Sequence, residues 1–213
     1  MPAPAIKICG LTTPETLDAS IAARADWFGL MFATRSPRYA TLDVAAQLGE
    51  RAAGRIGRVG VFLDADDNAI AEAVAAAKLD VLQLHGAETP QRCAALRARH
   101  GLPVWKVLSV SAGPDLERAY DYVGAADLAL LDAKTPKGSL PGGLGLTFDW
   151  NLLAGWHAPM PWGLAGGLNP GNVAEAVRIS GAELVDCSSG VESAPGVKDA
   201  ALIAAFCAAA RTT

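Results

Sequence analysis

The chain has 213 residues, 51% of them hydrophobic and 19% charged, and its formal net charge is −4. This composition can fill a sizeable core, and no segment is polar enough to be a disordered linker, so we expect a single domain over residues 1–213. The acidic balance argues against nucleic-acid binding, which normally needs a basic face.

The N-terminal segment and the cysteines predict the compartment. Residues 1–5 have no basic flank leading into an apolar run, and no stretch of about 18 apolar residues occurs, so we expect neither export nor membrane association. The four cysteines show no CxxC spacing, which favours reduced thiols in the cytoplasm over a disulfide scaffold or a zinc site. The sequence leaves open whether the protein is a monomer or a weak homodimer.

Short β-like runs alternate with helical stretches along the whole chain. The apolar and β-branched runs predict eight strands, at Ala5–Cys9, Trp27–Phe32, Ile56–Leu63, Val81–His85, Val104–Val110, Asp127–Asp132, Trp162–Ala165 and Glu183–Cys187. Between them, the patterns predict helices at Pro14–Arg24, Leu42–Ala53, Asp67–Lys78, Pro90–His100, Asp115–Tyr122, Pro170–Ser180 and Lys198–Ala209.

The order of these elements predicts the fold class. A helical segment near Phe148–Leu153 is short and poorly marked, but the alternation of strand and helix otherwise continues without a break. Such alternation implies parallel strands, and eight units match a single-domain α/β fold, the (β/α)8 or TIM barrel, whose length is usually about 250 residues and reaches down to about 200.

Two polar side chains end predicted strands. Cys9 closes the first strand and Asp132 the sixth. The carboxyl ends of the strands carry the catalytic residues in this fold, so the thiol and the carboxyl are candidates for a base and an acid facing one pocket. Each residue type also has a structural role, a buried thiol in a core or a carboxylate that caps or pairs at a loop entrance.

The loops after the last two strands are suited to bind an anion. Residues 163–170 read Gly-Leu-Ala-Gly-Gly-Leu-Asn-Pro, and residues 186–191 read Asp-Cys-Ser-Ser-Gly-Val. Small residues let backbone N–H groups approach an oxyanion, and the loops after strands seven and eight frequently bind phosphate in this fold. A phosphorylated small molecule is therefore the predicted ligand.

A set of motifs runs in order from residue 6 to residue 199. They are Lys7-Ile8-Cys9-Gly10, Gly29-Leu30-Met31-Phe32, Ser36-Pro37-Arg38, Val61-Phe62, Leu82-Gln83-Leu84-His85-Gly86, Leu130-Leu131-Asp132, Phe148-Asp149-Trp150, Leu164-Ala165-Gly166-Gly167-Leu168 and Asp186-Cys187-Ser188-Ser189-Gly190-Val191-Glu192. In their order and spacing, the chain resembles phosphoribosylanthranilate isomerase of tryptophan biosynthesis. The resemblance implies an Amadori-type isomerisation of N-(5-phosphoribosyl)anthranilate to 1-(2-carboxyphenylamino)-1-deoxyribulose 5-phosphate, without cofactor or metal.

The resemblance assigns the base to Cys9 and the acid to Asp132. Lys7 shares the inward face of its strand with Cys9 at two residues' rise, about 6.6 Å, and its ammonium would favour the thiolate. Asp132 follows Leu128 and Leu130 on its own face, and these apolar neighbours would favour the neutral acid.

The resemblance also implies the substrate contacts. Arg38 binds the anthranilate carboxylate through its guanidinium fork, whereas we expect Arg35 to be a solvated surface residue. His85 corresponds to a pocket residue of the family, and we expect it to have a supporting role in the site. Asp186 either accepts the anthranilate N–H or forms a structural ion pair with Lys7. The residues predicted to hold the phosphate are Gly166, Gly167, Ser188, Ser189 and Gly190, and Cys187 should face the helices.

The segment between the sixth strand and Phe148 is long for a βα loop and rich in glycine. Long loops in compact domains are usually functional, and we interpret residues 133–147 as a lid. Here the chain departs from the family pattern, because Leu144 and Leu146 stand where hydroxyl-bearing or polar residues are common. We therefore expect no hydroxyl contribution to phosphate binding from these two positions of the lid, which leaves the binding to backbone N–H groups.

Three other functions fit parts of the sequence. A different sugar-phosphate isomerase would share the phosphate loops but would require a carboxylate at the position of Cys9. A Schiff-base aldolase would use a buried lysine such as Lys106, although a barrel lysine is also commonly an ion-pair partner. A phosphate-ligand binding protein without catalysis would need neither Cys9 nor Asp132.

Overall fold

The computed structural model describes residues 3–134 and 145–212. The predicted barrel is confirmed: eight strands pair in sequence order, all parallel, and β8 closes the ring against β1. The barrel strands are β1 (Ala5–Cys9), β2 (Trp27–Met31), β3 (Gly57–Phe62), β4 (Val81–Leu84), β5 (Val104–Val110), β6 (Leu128–Ala133), β7 (Trp162–Leu164) and β8 (Leu184–Cys187).

The helices begin at side chains that bind the first free amides. Thr13, Thr41, Asp66, Thr89 and Asp199 each accept a backbone N–H at a helix N-terminus, which satisfies a donor that the helix leaves unpaired. The helices are α1 (Pro14–Ala22), α2 (Leu42–Ala52), α3 (Asp67–Ala77), α4 (Pro90–His100), α5 (Gly113–Leu116), α6 (Val173–Ser180) and α7 (Ala200–Ala210). Within the described ranges, no helix is long and apolar enough to cross a membrane.

Three predicted helices differ from the structure. The helix expected over Asp115–Tyr122 is the short α5 followed by a 3-10 helix, Glu117–Tyr122, and the weak segment near Phe148 is a 3-10 turn, Trp150–Leu153. The helix expected from Pro170 begins at Val173, because the side chains of Asn169 and Asn172 bond backbone groups of this loop and hold it as a turn.

A hairpin that the sequence did not predict follows the barrel. After β8, a 3-10 turn at Ser189–Val191 leads into two antiparallel strands, β9 (Glu192–Ala194) and β10 (Val197–Lys198). Lys198 therefore belongs to the hairpin, and α7 starts only after the cap at Asp199.

The alternation of side chains along the strands creates two apolar layers. One lies between the strands and the helices. The other fills the barrel interior with Val59, Val81, Trp105, Val107, Leu130, Ala165 and Leu184. The next layer toward the carboxyl ends of the strands is polar. It consists of three buried inward-facing side chains, Lys7 on β1, Gln83 on β4 and Asp186 on β8. The barrel thus has an apolar base and a polar layer beneath its carboxyl-terminal end.

Candidate active site

A cavity of about 460 Å³ opens at the carboxyl ends of the barrel strands. It contains every predicted site residue except Gly190. Its wall is formed by Cys9, Met31, Ala33, Ser36, Pro37, Arg38, Val61, Phe62, Leu63, Gln83, His85, Asp132, Ala165, Gly166, Gly167, Leu168, Asp186, Ser188, Ser189 and Pro195.

Cys9 lies at the end of β1 with its thiol buried beside the Lys7 ammonium. Burial raises the pKa of the Cys9 thiol above its ordinary value, and the charge of Lys7 opposes this shift without cancelling it. Lys7 therefore lowers the pKa of Cys9, as predicted, but the increase caused by burial is larger. In the unliganded protein at neutral pH, Cys9 is a thiol.

Lys7 and Asp186 form a buried ion pair across the seam between β1 and β8. Lys7 is fully buried, and its Nζ lies 2.8 Å from Asp186 Oδ2. Burial alone would lower the pKa of Lys7, but Asp186 and Cys9 outweigh it and hold the pKa above its ordinary value. Asp186 Oδ1 accepts no hydrogen bond from the described residues. The two alternatives for Asp186 are thus compatible, since one oxygen holds Lys7 and the other is left for a ligand.

Asp132 and His85 contact each other in the wall of the cavity. Asp132 is the penultimate residue of β6, and His85 directly follows β4. His85 Nε2 lies 3.3 Å from Asp132 Oδ2, and both side chains are almost completely buried. Leu130, one inward position earlier on β6, belongs to the apolar interior. The carboxyl therefore has an apolar floor and an imidazole as its polar neighbour.

Arg38 is held by a carboxylate that the sequence analysis did not assign. Its Nε and Nη2 each donate to one oxygen of Glu192, at 2.7 Å in both bonds. The guanidinium is buried, whereas Arg35 is exposed as predicted. Glu192 ended one of the sequence motifs, but nothing in the sequence pairs it with a residue 154 positions earlier. This side-on fork fixes the plane of the guanidinium.

Lys198 extends this contact to β1. Its Nζ lies 2.6 Å from Glu192 Oε1 and also donates to the carbonyl and hydroxyl oxygens of Ser188. The Ser188 hydroxyl in turn donates to the Cys9 carbonyl at 3.1 Å. The hairpin thus connects Arg38 to the end of β1 through Glu192, Lys198 and Ser188. Sequence reasoning missed Lys198 because it was placed in the last helix.

The loops after β7 and β8 contain backbone amides without a hydrogen-bond partner in the described residues. In the first of these loops, Asn169 and Asn172 both donate from Nδ2 to the Gly167 carbonyl. In the described part of the chain, no hydrogen bond uses the N–H of Gly166, Gly167 or Ser189. Gly166, Gly167 and Ser189 are only half-buried, so these N–H groups are accessible to an oxyanion in the cavity.

Gly190 does not line the cavity, in contrast to its predicted role. Its N–H faces the Cys187 sulfur, and a Cβ at this position would lie 2.0 Å from the Leu168 carbonyl oxygen. Glycine is required here because the loops after β7 and β8 pack against each other at this point. Cys187 is buried on the helix side and donates to Leu168, as its parity predicted.

Comparison with known proteins assigns the chain to a family. The family model of N-(5'phosphoribosyl)anthranilate (PRA) isomerase matches residues 6–209. The chain belongs to this family. It is an isomerase of tryptophan biosynthesis, as the sequence motifs predicted.

Individual PRA isomerases match the chain over nearly its whole length. N-(5'-phosphoribosyl)anthranilate isomerase of Paramagnetospirillum magneticum is 54% identical over 207 residues, covering 97% of this chain and 96% of the relative. The crystal structure of the enzyme from Thermotoga maritima has a TM-score of 0.88 at 34% identity, with 99% and 100% of the two chains covered. A PRA isomerase solved with reduced 1-(o-carboxyphenylamino)-1-deoxyribulose 5-phosphate has a TM-score of 0.86 at 32% identity, with the same coverage.

The predicted lid of this PRA isomerase is described only at its ends. Residues 135–144, including Leu144, lie outside the described residues. Residues 145–147 contact the loop after β7, since a Cβ on Gly167 would lie 2.6–2.8 Å from Thr147 Cγ2 and from the carbonyl oxygens of Leu146 and Gly145. Leu146 itself is exposed. The C-terminal end of the lid segment therefore rests on Gly167.

Lys106 is not placed to form a Schiff base. Its Nζ is buried and donates to Glu88 Oε2 at 2.8 Å and to the carbonyls of Leu84 and Gly86. These three contacts use all three donors of the Lys106 ammonium within the protein. This contact favours the structural role of Lys106 over the aldolase alternative. Among the described residues, no group of three His, Cys, Asp or Glu side chains is placed to hold a metal ion.

We expect Glu192→Gln to weaken both stability and substrate binding. The substitution leaves the buried Lys198 ammonium without its counter-charge, and loss of one partner of a buried pair costs about 3–5 kcal/mol. Thermal unfolding and steady-state kinetics would measure the two effects. The double variant Glu192→Gln/Lys198→Met should recover only part of the stability, because the buried Arg38 still lacks its carboxylate, and it should not recover KM. A single variant as stable as wild type would contradict the importance of this contact.

The same residue should contribute to acid sensitivity. Burial alone would raise the pKa of Glu192, but Arg38 and Lys198 outweigh it and hold the pKa below its usual range. A depressed folded-state pKa stabilises the protein above the ordinary pKa, and this contribution is lost as the pH falls through the folded value. The free energy of unfolding of Glu192→Gln should therefore decrease less than that of wild type on acidification.

Proposed function

We propose that the chain converts N-(5-phosphoribosyl)anthranilate to 1-(2-carboxyphenylamino)-1-deoxyribulose 5-phosphate, with Cys9 as general base and Asp132 as general acid. One observation carries this proposal. The thiol and the carboxyl line a single cavity together with the loops that present free amides. The product bound to a solved relative in reduced form supports the choice of substrate.

The first step requires an acid. Asp132 protonates the ribose ring oxygen, the C1′–O bond breaks, and the lone pair of the anthranilate nitrogen forms the C1′=N bond of a Schiff base. Asp132 has to carry a proton before this step and is a carboxylate after it. His85 Nε2, 3.3 Å from Asp132 Oδ2, is the polar neighbour of that carboxylate.

The second step requires a base. Cys9 removes the proton from C2′, and the electron pair moves through C2′–C1′ to the nitrogen, giving an enolamine. Loss of the enol hydroxyl proton and protonation of C1′ then give the ketone. Because burial raises the pKa of Cys9, its thiolate is less populated than an exposed one but is a stronger base. The positive charge of the Schiff base next to Cys9 favours the thiolate at the moment when it is needed.

Three groups of contacts hold the substrate. The amides of Gly166, Gly167 and Ser189 bind the phosphate, without a basic side chain in either loop. Arg38, fixed in its plane by Glu192, binds the anthranilate carboxylate. Asp186 Oδ1 accepts the anthranilate N–H. These contacts orient C2′ toward Cys9.

Turnover tests the proposal directly. Anthranilate fluorescence should decay when the protein is mixed with freshly made phosphoribosylanthranilate. A phosphate-ligand binding protein without catalysis would bind the compound without changing the rate of decay. No decay above the uncatalysed rate would contradict the proposed function.

We expect Arg38→Lys to weaken binding of the anthranilate half of the substrate, roughly 10- to 100-fold. A lysine ammonium cannot form two bonds to a planar carboxylate and also satisfy Glu192. Competitive inhibition by an anthranilate-bearing product analogue and by inorganic phosphate separates the two halves. Arg35→Lys, three positions earlier and exposed, is the matched control. Equal weakening of both inhibitors would contradict the assignment of Arg38.

We place the reaction in the cytoplasm. All four cysteines are free and buried, as expected of a protein that folds in a reducing compartment. The base Cys9 also has to be a free thiol for the proposed mechanism.

A further inference from the structure

Two buried oxygens in the cavity wall accept no hydrogen bond from the described residues. They are Asp186 Oδ1 and Gln83 Oε1. Asp186 Oδ1 has a partner in the proposed mechanism, but Gln83, which is only 1% exposed, has none. Buried side-chain oxygens are paired in the large majority of cases. An unpaired oxygen in the wall of a binding cavity therefore indicates a partner on the ligand.

The position of Gln83 excludes a packing role for its amide. Gln83 lies on β4 between Val81, which belongs to the apolar interior, and His85 at the mouth of the strand. Its partners in register are Val61 on β3 and Trp105 on β5, and neither side chain bonds the amide. A methionine or leucine would fill this space without leaving a polar atom unpaired. The polarity of Gln83 thus costs stability in the unliganded protein.

The chemistry of the amide selects the ligand group. An orphaned acceptor needs a donor, and phosphate or carboxylate oxygens provide none at neutral pH. The substrate has two kinds of donor, the anthranilate N–H and the sugar hydroxyls, and the N–H is matched to Asp186. A hydroxyl both donates and accepts, so it fits a glutamine amide in either orientation.

We propose that Gln83 is a substrate-binding residue that hydrogen-bonds a hydroxyl of the sugar chain. The proposal rests on the proposed function and extends it, because neither the phosphate nor the anthranilate contacts recognise that chain. A site built to bond a hydroxyl discriminates strongly against ligands that lack it, since its own polar group then stays unpaired. Gln83 therefore makes the cavity specific for the complete substrate rather than for its two ends.

Gln83→Met tests this assignment, because it retains the length of the side chain and removes both polar ends. We expect kcat/KM to decrease roughly 10- to 100-fold, with the thermal midpoint unchanged or higher. The Kd of the product should weaken by a similar factor, whereas the Kd values of inorganic phosphate and anthranilate should not change. Gln91→Met, on the exposed face of α4, is the matched control. Gln83→Leu provides the same measurements in a second variant.

A structural amide would give the opposite pattern. A lower thermal midpoint with unchanged kcat/KM, or equal weakening of product and phosphate, would overturn the assignment of Gln83. Wild-type turnover with no effect of either variant on the product Kd would contradict this assignment alone. Absence of wild-type turnover would contradict the proposed function and, with it, the assignment.

Discussion

Cys9→Ala is expected to fold normally and to lose about 10²–10⁴ of the activity, the usual contribution of a positioned base. The methyl group leaves the Lys7 to Asp186 ion pair in place, so the floor of the cavity keeps its charges. Only proton removal from C2′ lacks its acceptor. Binding of the product should therefore be retained while kcat decreases.

Two controls make this result specific. Cys93→Ala removes a thiol that is equally buried but belongs to the layer between helices and strands, and it should leave kcat unchanged. Cys9→Ser retains a polar atom of similar size but replaces the thiol with a much weaker acid, so it should be nearly as inactive as Cys9→Ala. Turnover near the wild-type rate in Cys9→Ala would remove Cys9 from the mechanism.

Asp132→Asn should lose kcat by a comparable factor, about 10²–10⁴, while KM changes little. The amide preserves the shape of the carboxyl and a polar neighbour for His85, but it cannot deliver a proton to the ring oxygen. Ring opening then becomes the slow step. Steady-state kinetics, with product binding measured separately, would separate the loss of chemistry from any loss of affinity.

The opposite end of the same strand offers the control for this variant. Asp127 directly precedes β6 and bonds Arg97 and the Val104 amide, far from the cavity. Asp127→Asn makes the same chemical change and should not affect kcat. If Asp132→Asn instead raises KM and leaves kcat intact, Asp132 positions the substrate and the acid is another residue.

Local rules explain why the barrel and the ends of its strands were predictable. In β1, Ile6 and Ile8 face the helices, while Lys7 and Cys9 face inward. Alternation alone gives this assignment. The parallel order of the strands then brings Cys9, His85, Asp132 and Asp186 to one end of the barrel. Six of the seven predicted helices contain well-marked caps or regular periodicity, but the helix predicted over Asp115–Tyr122 lacks an extended apolar stripe and winds mostly as a 3-10 helix.

The partners of the site residues depend on contacts between distant segments, which local patterns do not encode. Arg38 meets Glu192 only because a hairpin folds back over the loop after β2, and Lys198 joins them only because α7 starts later than its composition suggests. Gln83 looked like one more residue of a buried strand. That its oxygen has no hydrogen-bond partner among the described residues is visible only in three dimensions.

The ion pair that closes the barrel has a consequence for biosynthesis of the chain. Lys7 is synthesised early, and Asp186 follows 179 residues later. The Lys7 ammonium can therefore be buried with its counter-charge only after β8 has been synthesised. A nascent or truncated chain that ends before Asp186 has to keep Lys7 in water and β1 undocked. Partial chains should thus be recognised by proteases as unfolded, and the enzyme should gain activity only after β8 and the hairpin that follows it have been synthesised.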